Sequence, residues 1–280
     1  MPAKLKLINR NRELLESVAM IKGLYTSAGG MLPLQYRQDL VANNLSNSHT
    51  AGYKQDQAFV RELITADLYL NERKIASTGA QPPLVSISPP AYMAAVGDSR
   101  QVVQQYTDFS QGPMEATGNA MNMAIEGDGF FTIQTPNGTQ YTRNGSFSIN
   151  ENGELVTIQG HLVLGDGGPI NVSGGIINVL KRGGISVNGV FRDNLRITDF
   201  PKPYEMTKVS ENLFVPESGG AGQNAENYSV QQGMLEGSNG HPLDQMVKMI
   251  EISRMFELGQ RAIRLQDETL QQAVTQAGRV

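Results

Sequence analysis

The sequence predicts an α+β chain, helical at both ends and all-β, mostly antiparallel, in between. Three observations predict this. Apolar residues recur at helical spacing near each terminus, short alternating segments separated by Asn-Gly dipeptides fill the centre, and a proline-rich stretch divides the first helical region from the strands. With 280 residues, 39% hydrophobic and 18% charged, the chain has the apolar content of a folded protein. Its 30 glycines and 13 prolines stay below low-complexity levels.

The first helical pattern runs from Arg12 to Leu45. Leu15, Ala19, Leu24, Met31, Leu34, Val41 and Leu45 follow one another at steps of three, four or seven, with a single step of five. Gly29, Gly30 and Pro33 interrupt it, and a kink or break is expected there, because proline removes a backbone donor and clashes with the preceding turn. Gln81-Pro82-Pro83 and Ser88-Pro89-Pro90 mark extended chain, so residues 71–119 read as an ordered loop or arm.

Strands are expected at Asn122–Glu126, Phe130–Gln134, Gln140–Arg143, Ser146–Asn150, Glu154–Thr157, His161–Leu164, Ile176–Val179 and Leu195–Phe200. Asn137-Gly138, Asn144-Gly145, Asn152-Gly153 and Asn188-Gly189 punctuate them, a dipeptide suited to hairpin turns in which both residues take positive φ.

The last helix is expected from Pro242, a favoured first position, to a stop at Gly278, with Asp244 in the first turn where the helix dipole favours an anion. Met249, Ile252, Phe256, Gly259, Ile263, Leu270 and Ala273 form a heptad-like seam in which Gln266 fills the skipped place. Leu243, Met246, Val247 and Ile250 widen the apolar stripe, which gives this helix more than one neighbour. Pro242 to Ala277 would measure about 54 Å, too long for one small domain to bury.

Several chemistries are excluded. Without cysteine there is no disulfide framework, thiolate metal site or cysteine nucleophile. A net charge of −4 argues against nucleic acid as a partner. His49, His161 and His241 lack metal-ligand spacing, and Gly127-Asp128-Gly129 and Gly165-Asp166-Gly167-Gly168 read as turns rather than phosphate or calcium loops. No nucleophile elbow occurs and the acids form no spaced general acid/base pair, so neither catalysis nor a cofactor is expected. Glu13 and Glu16 interrupt the apolar positions after Lys4, Lys6, Arg10 and Arg12, which argues against a cleaved secretory signal, and no apolar run is long enough to form a transmembrane segment.

Val41-Ala42-Asn43-Asn44-Leu45-Ser46-Asn47, followed by Thr50-Ala51-Gly52-Tyr53-Lys54, resembles the N-terminal signature of the flagellar axial proteins, the rod, hook and hook-associated family. Ala124-Ile125-Glu126-Gly127-Asp128-Gly129-Phe130-Phe131 and Tyr141-Thr142-Arg143-Asn144-Gly145-Ser146-Phe147 are similar to its shared β-domain. Leu235-Glu236-Gly237-Ser238-Asn239 is similar to its C-terminal signature. Within the family, Gly160 to Ile170 resembles the proximal-rod members, with distal-rod and hook paralogues as alternatives. Residues 1–19 precede the usual start of the family, and Gly240-His241-Pro242 and Pro33 depart from its pattern.

The resemblance implies a division into residues 1–60, an N-terminal helical part of an inner coiled coil; 61–119, an extended linker; 120–233, the central β-domain; and 234–280, a C-terminal helix that pairs with the first. It also implies a structural subunit of the bacterial flagellar basal body. Such a subunit assembles helically with copies of itself and other rod proteins into the periplasmic rod, transmits torque, encloses the export channel and leaves the cell through the flagellar type III export apparatus. The assembly interface it implies contains Leu24, Met31, Leu34, Val41, Asn43, Asn44, Leu45, Asn47, Ser238, Asn239, Met249, Ile252, Phe256, Ile263 and Leu270. Rival classes are a secreted β-rich enzyme or adhesin and a phage-tail-like structural protein.

Overall fold

The computed structural model describes residues 30–63, 92–96, 99–210, 212–217 and 222–277. Its contacts divide the chain into two units: Asn44–Gln55 with Thr107–Asp244, and Met1–Asn43, Asp56–Tyr106 and Gln245–Val280.

The first of these is organised by the strand Phe130–Thr135, whose side chains are buried on both faces. Because side chains alternate along a strand, Phe131 and Ile133 enter one apolar cluster while Phe130 enters a second. The larger cluster gathers Met123, Ile125, Phe147, Leu155, Val163, Ile185, Leu195 and Ile197, among others. The smaller is aromatic: Phe109 stands edge-on to Phe130, Tyr204 and Phe214, with centroids 5.8, 5.3 and 5.2 Å away. Thr132, on the same face as Phe130, satisfies its hydroxyl on Thr198 at 2.8 Å.

Around this strand runs a sheet in the order Met206–Ser210, Leu213–Pro216, Gly138–Thr142, Phe130–Thr135, Leu162–Gly165, Leu155–Thr157, Phe147–Ile149. Each neighbouring pair is antiparallel. A separate antiparallel sheet comprises Ile177–Val179, Gly184–Val187 and Val190–Asn194. The mostly antiparallel centre expected from the sequence is therefore present.

Three of the four Asn-Gly pairs close hairpins, and at Asn188-Gly189 both residues have positive φ, 51° and 79°. Asn144-Gly145 does not. It joins Gly138–Thr142 to Phe147–Ile149, strands that are not paired with each other, and a Cβ on Gly145 would overlap the carbonyl oxygen of Met123. Here glycine is needed for close backbone approach rather than for a hairpin.

In the second unit the first helix spans residues 30–46, its last turn belonging to the other unit, and the final helix spans Pro242–Ala277, 36 residues with Asp244 in its first turn, as expected. Among the described residues the chain is helical at Gly30 and passes Pro33 without a break, whereas Gly29 lies outside them. A Cβ on Gly259 would lie 3.3 Å from Met31 Cγ, so the side chain of Met31 packs against that bare position. The loop expected over 71–119 contains strands in its described parts. Tyr92–Val96 pairs antiparallel with Ser99–Thr107, which also neighbours Asp56–Leu63, and Met114–Ala116 pairs with Met234–Glu236. The proline pairs that suggested an arm lie outside the described residues.

Phe214 is fully buried among rings. Replacing it by Ala is expected to destabilise the β-unit by about 3–5 kcal/mol, measured as a lowered urea midpoint in the near-UV tyrosine signal.

Candidate functional site

The strongest concentration of polar chemistry lies where three distant segments meet. Glu236, at the end of the strand Met234–Glu236, is 0% exposed, and Lys54 is 1% exposed. Lys54 Nζ donates to Glu236 Oε1 at 2.6 Å and to the carbonyl of Ser110 at 2.7 Å. Arg143, just past the strand Gly138–Thr142, donates through Nη1 to Glu236 Oε2 at 3.3 Å and through Nη2 to the carbonyl of Gly127 at 2.7 Å. The N–H of Gly112 completes the carboxylate's set at 3.0 Å. Two cations thus share one buried anion, and backbone carbonyls accept from both cations. The Arg143 guanidinium also stands 5.2 Å from the centre of the Phe130 ring, joining the charges to the aromatic cluster.

Backbone geometry brings these groups together. After the first helix, Ser48 and Thr50 bond back to Leu45 and Asn47, turning the chain. Gly52 takes φ +67°, donates its N–H to the carbonyl of Glu236 at 2.7 Å, and leaves no room for a Cβ beside Asn144. The Tyr53 hydroxyl donates to Asn44 Oδ1 at 3.0 Å, and Lys208 Nζ lies 4.3 Å from the centre of the Tyr53 ring while donating to the carbonyl of Lys54. Asn239 ties the other strands: its Oδ1 accepts from the N–H of Gln55 at 2.7 Å, and its Nδ2 donates to the carbonyl of Asp108 at 2.7 Å.

Burial pushes the Lys54 ammonium below the ordinary lysine range, against the pull of Glu236. For Asp108, burial alone would raise the carboxyl, but the Ser110 N–H and hydroxyl, the Gln55 amide and the Lys54 charge together hold it below its ordinary value. Every donor and acceptor named is spent on protein, and of the buried side-chain atoms in the arrangement Arg143 Nε is left without a hydrogen bond. The chemistry of the arrangement is that of a clamp.

Of the residues expected at an assembly interface, Leu24 lies outside the described residues. Val41, Asn44, Ser238 and Ile252 are buried; Met31, Leu34, Leu45, Asn47, Asn239, Met249, Phe256, Ile263 and Leu270 are half-buried; Asn43 is exposed. Asn44 and Asn239 are brought into the clamp. Lys54, Arg143 and Glu236 were not among the expected site residues, although each stands inside a motif quoted for the family resemblance. The only sequence signal was one charge within each of three motifs, which does not specify burial.

Glu236→Ala leaves two cations buried without their anion and is expected to cost about 3–5 kcal/mol in urea unfolding, whereas K54M/E236Q should lose less than the sum of its single substitutions. A carboxyl held low in the folded state contributes stability that is present above about pH 4 and lost as pH falls through its folded value. Asp108→Asn should therefore lower the urea midpoint at neutral pH and flatten its decline in acid.

The segments that meet here are also the segments that match known proteins. Residues 24–54 match the model of the flagella basal body rod protein, residues 124–191 that of the flagellar hook protein FlgE/F/G D1 domain, and residues 231–276 that of the flagellar basal body rod FlgEFG protein C-terminal. Flagellar basal-body rod protein FlgG of Borreliella burgdorferi is 33% identical over 266 residues, covering 90% of this chain and 97% of that one. FlgF of Caulobacter vibrioides is 31% identical over 264 residues, covering 93% and 100%. FlgG of Bacillus subtilis is 27% identical over 279 residues, covering 91% and 98%. Similar along nearly its whole length to rod proteins of both designations, and with the motifs of all three matched segments joined in one buried clamp, the chain belongs to the family of flagellar basal-body rod proteins.

Proposed function

We propose that this chain, a structural subunit of the flagellar basal-body rod, polymerises helically through its terminal helices, which pair as an inner coiled coil around an export channel while the β-domain lies outside. Residues 1–60 and 234–280 form the inner layer, 61–119 the arm and 120–233 the outer domain. The role is mechanical and without catalysis: the assembled shaft carries torque across the periplasm, and the subunit reaches it through the flagellar type III export apparatus. The interface uses Met31, Leu34, Val41, Met249, Ile252, Phe256, Ile263 and Leu270. Within the rod the Gly160–Ile170 stretch favours the proximal segment.

The observation that carries this reading is the two-sided apolarity of the final helix. Met249, Ile252, Phe256, Gly259, Ile263 and Leu270 share one face and are buried or half-buried, and Gly259 receives Met31. Leu243, Val247, Ile250, Leu258 and Leu265 fall on the opposite face and are 48–72% exposed. A soluble monomer gains nothing by presenting such a stripe along a helix of about 54 Å, whereas a polymer buries it between copies.

The two faces are separable by experiment. Val247→Asp with Ile250→Asp should leave circular dichroism and thermal melting of the purified subunit unchanged while abolishing its incorporation into isolated basal bodies. Phe256→Asp with Ile263→Asp should disturb the helix pairing itself, at several kcal/mol per buried charge, and also yield no rod. Normal incorporation and motility of the first pair would overturn the polymer reading of the exposed stripe.

A further inference from the structure

One apolar surface of the β-unit is not used by the helical assembly just described. In the sheet Ile177–Val179, Gly184–Val187, Val190–Asn194, the inner rows bury Ile177, Val179, Ile185 and Val187. The register sets Asn178 opposite Ser186 and Ser186 opposite Phe191 on the other face. Phe191 is 57% exposed there and Leu180 54%. A Cβ on Gly184 would touch Leu180 Cδ1 at 3.3 Å and Phe191 Cε2 at 3.4 Å, so both apolar side chains flank the same bare backbone. Val190, 59% exposed, starts the same edge strand opposite Val187, its side chain on the other face from Phe191.

Cations surround this patch. Lys181 and Arg182 occupy the turn beside Leu180, and Arg192 is the extra residue where the register shifts between Ile185 and Ser186; all three are exposed. Bulge and charge discourage indiscriminate strand addition at the edge, while the apolar side chains stay open to a specific partner.

The same unit carries a surface of opposite character. A cleft of about 430 Å³ is lined by Asp128, Asp199 and Glu226 with no cation in its lining; Pro201 supplies apolar wall, while Phe200 behind it is held in the buried aromatic cluster. Lys202 pairs with Asp128 at 2.6 Å, but both side chains are well exposed, so that pair is weak and leaves Asp199 and Glu226 to set the charge.

We propose that the outer face of this sheet docks into the acidic cleft of a second copy of this chain, Phe191 and Leu180 against Pro201, and Arg192 against Asp199 and Glu226. Two different patches of one chain meet in such a contact, so it is heterologous and propagates an open helix instead of closing a dimer. Charge complementarity selects a second copy as the occupant: cationic rim and apolar centre on one side correspond to anionic rim and apolar wall on the other. The proposal rests on the polymerising-subunit reading and adds a lateral contact between β-domains.

Because the chain has no cysteine, single introduced thiols report on this contact cleanly. Val190→Cys and Asn227→Cys, both at exposed positions, would be produced together in flagellated cells in place of the unaltered chain, and isolated basal bodies treated with a flexible bis-maleimide. The expected result is a mixed V190C–N227C dimer, reduced about tenfold when the V190C copy also carries R192E and restored when the N227C copy carries E226R. Basal bodies that contain both variants but no mixed dimer would overturn the proposal, as would capture of V190C by a different component. Absence of the chain from basal bodies would instead overturn its reading as a rod subunit.

Discussion

A carboxylate cannot remain ionised in a protein interior without charged or hydrogen-bonding partners, and Glu236 is entirely buried. Its partners come from far along the chain: Lys54 lies 182 positions away, Gly112 124 and Arg143 93. The β-unit is therefore correct only when the return from the first helix, the loop before residue 112, the end of a central strand and the approach to the last helix are all in place together. A buried ion pair adds little net stability over an apolar replacement, but breaking one side of it is costly, which makes it a device for fixing one arrangement against others. Here the second cation increases that selectivity. Arg143 can be accommodated only if the carbonyls of Ile125 and Gly127 face it and the Phe130 ring lies beside it, so the clamp and the aromatic cluster specify each other.

The clamp's polar bonds are thus internal to the β-unit, while Leu243, Val247, Ile250, Leu258 and Leu265 on the final helix and Phe191 on the strand Val190–Asn194 are exposed. The contrast separates two kinds of work done by one chain. Directional, charge-assisted bonds hold the domain to a single shape, and non-directional apolar stripes remain for contacts with other copies. An apolar stripe tolerates small rotations between helices, whereas the clamp tolerates none without leaving a charge unpaired.

How much of this could be read from the sequence depended on the range of the signal. The final helix was legible to its first residue because Pro242 and Asp244 are local helix-start chemistry, and its covered seam was legible because steps of three and four fix a face. Asn137-Gly138, Asn152-Gly153 and Asn188-Gly189 were legible for the same reason. Asn144-Gly145 misled because the same dipeptide answers a different requirement, the approach of the Met123 carbonyl, which only the folded chain reveals. The strands Gly184–Val187, Val190–Asn194 and Tyr228–Gln232 were not anticipated: Val-Phe-Arg-Asp-Asn, for example, is an exposed edge strand with a bulge and shows no clean alternation. The clamp was hidden altogether, since no spacing relates Lys54, Arg143 and Glu236 before the segments are brought together.

Glu236 is the last residue of its strand and lies six positions before the start of the final helix, while Lys54 lies eight positions after the end of the first. Both helical ends therefore enter the β-unit through the same few hydrogen bonds, those of Gly52, Gln55, Glu236 and Asn239. For a structural subunit of the rod this placement matters. Apolar contacts yield progressively as surfaces slide, but charge-assisted bonds around a desolvated anion have no partly broken state of low energy, because water cannot replace a partner until the site opens. Within the β-unit, the segment that follows the first helix and the segment that precedes the last are thus anchored to one carboxylate rather than separately.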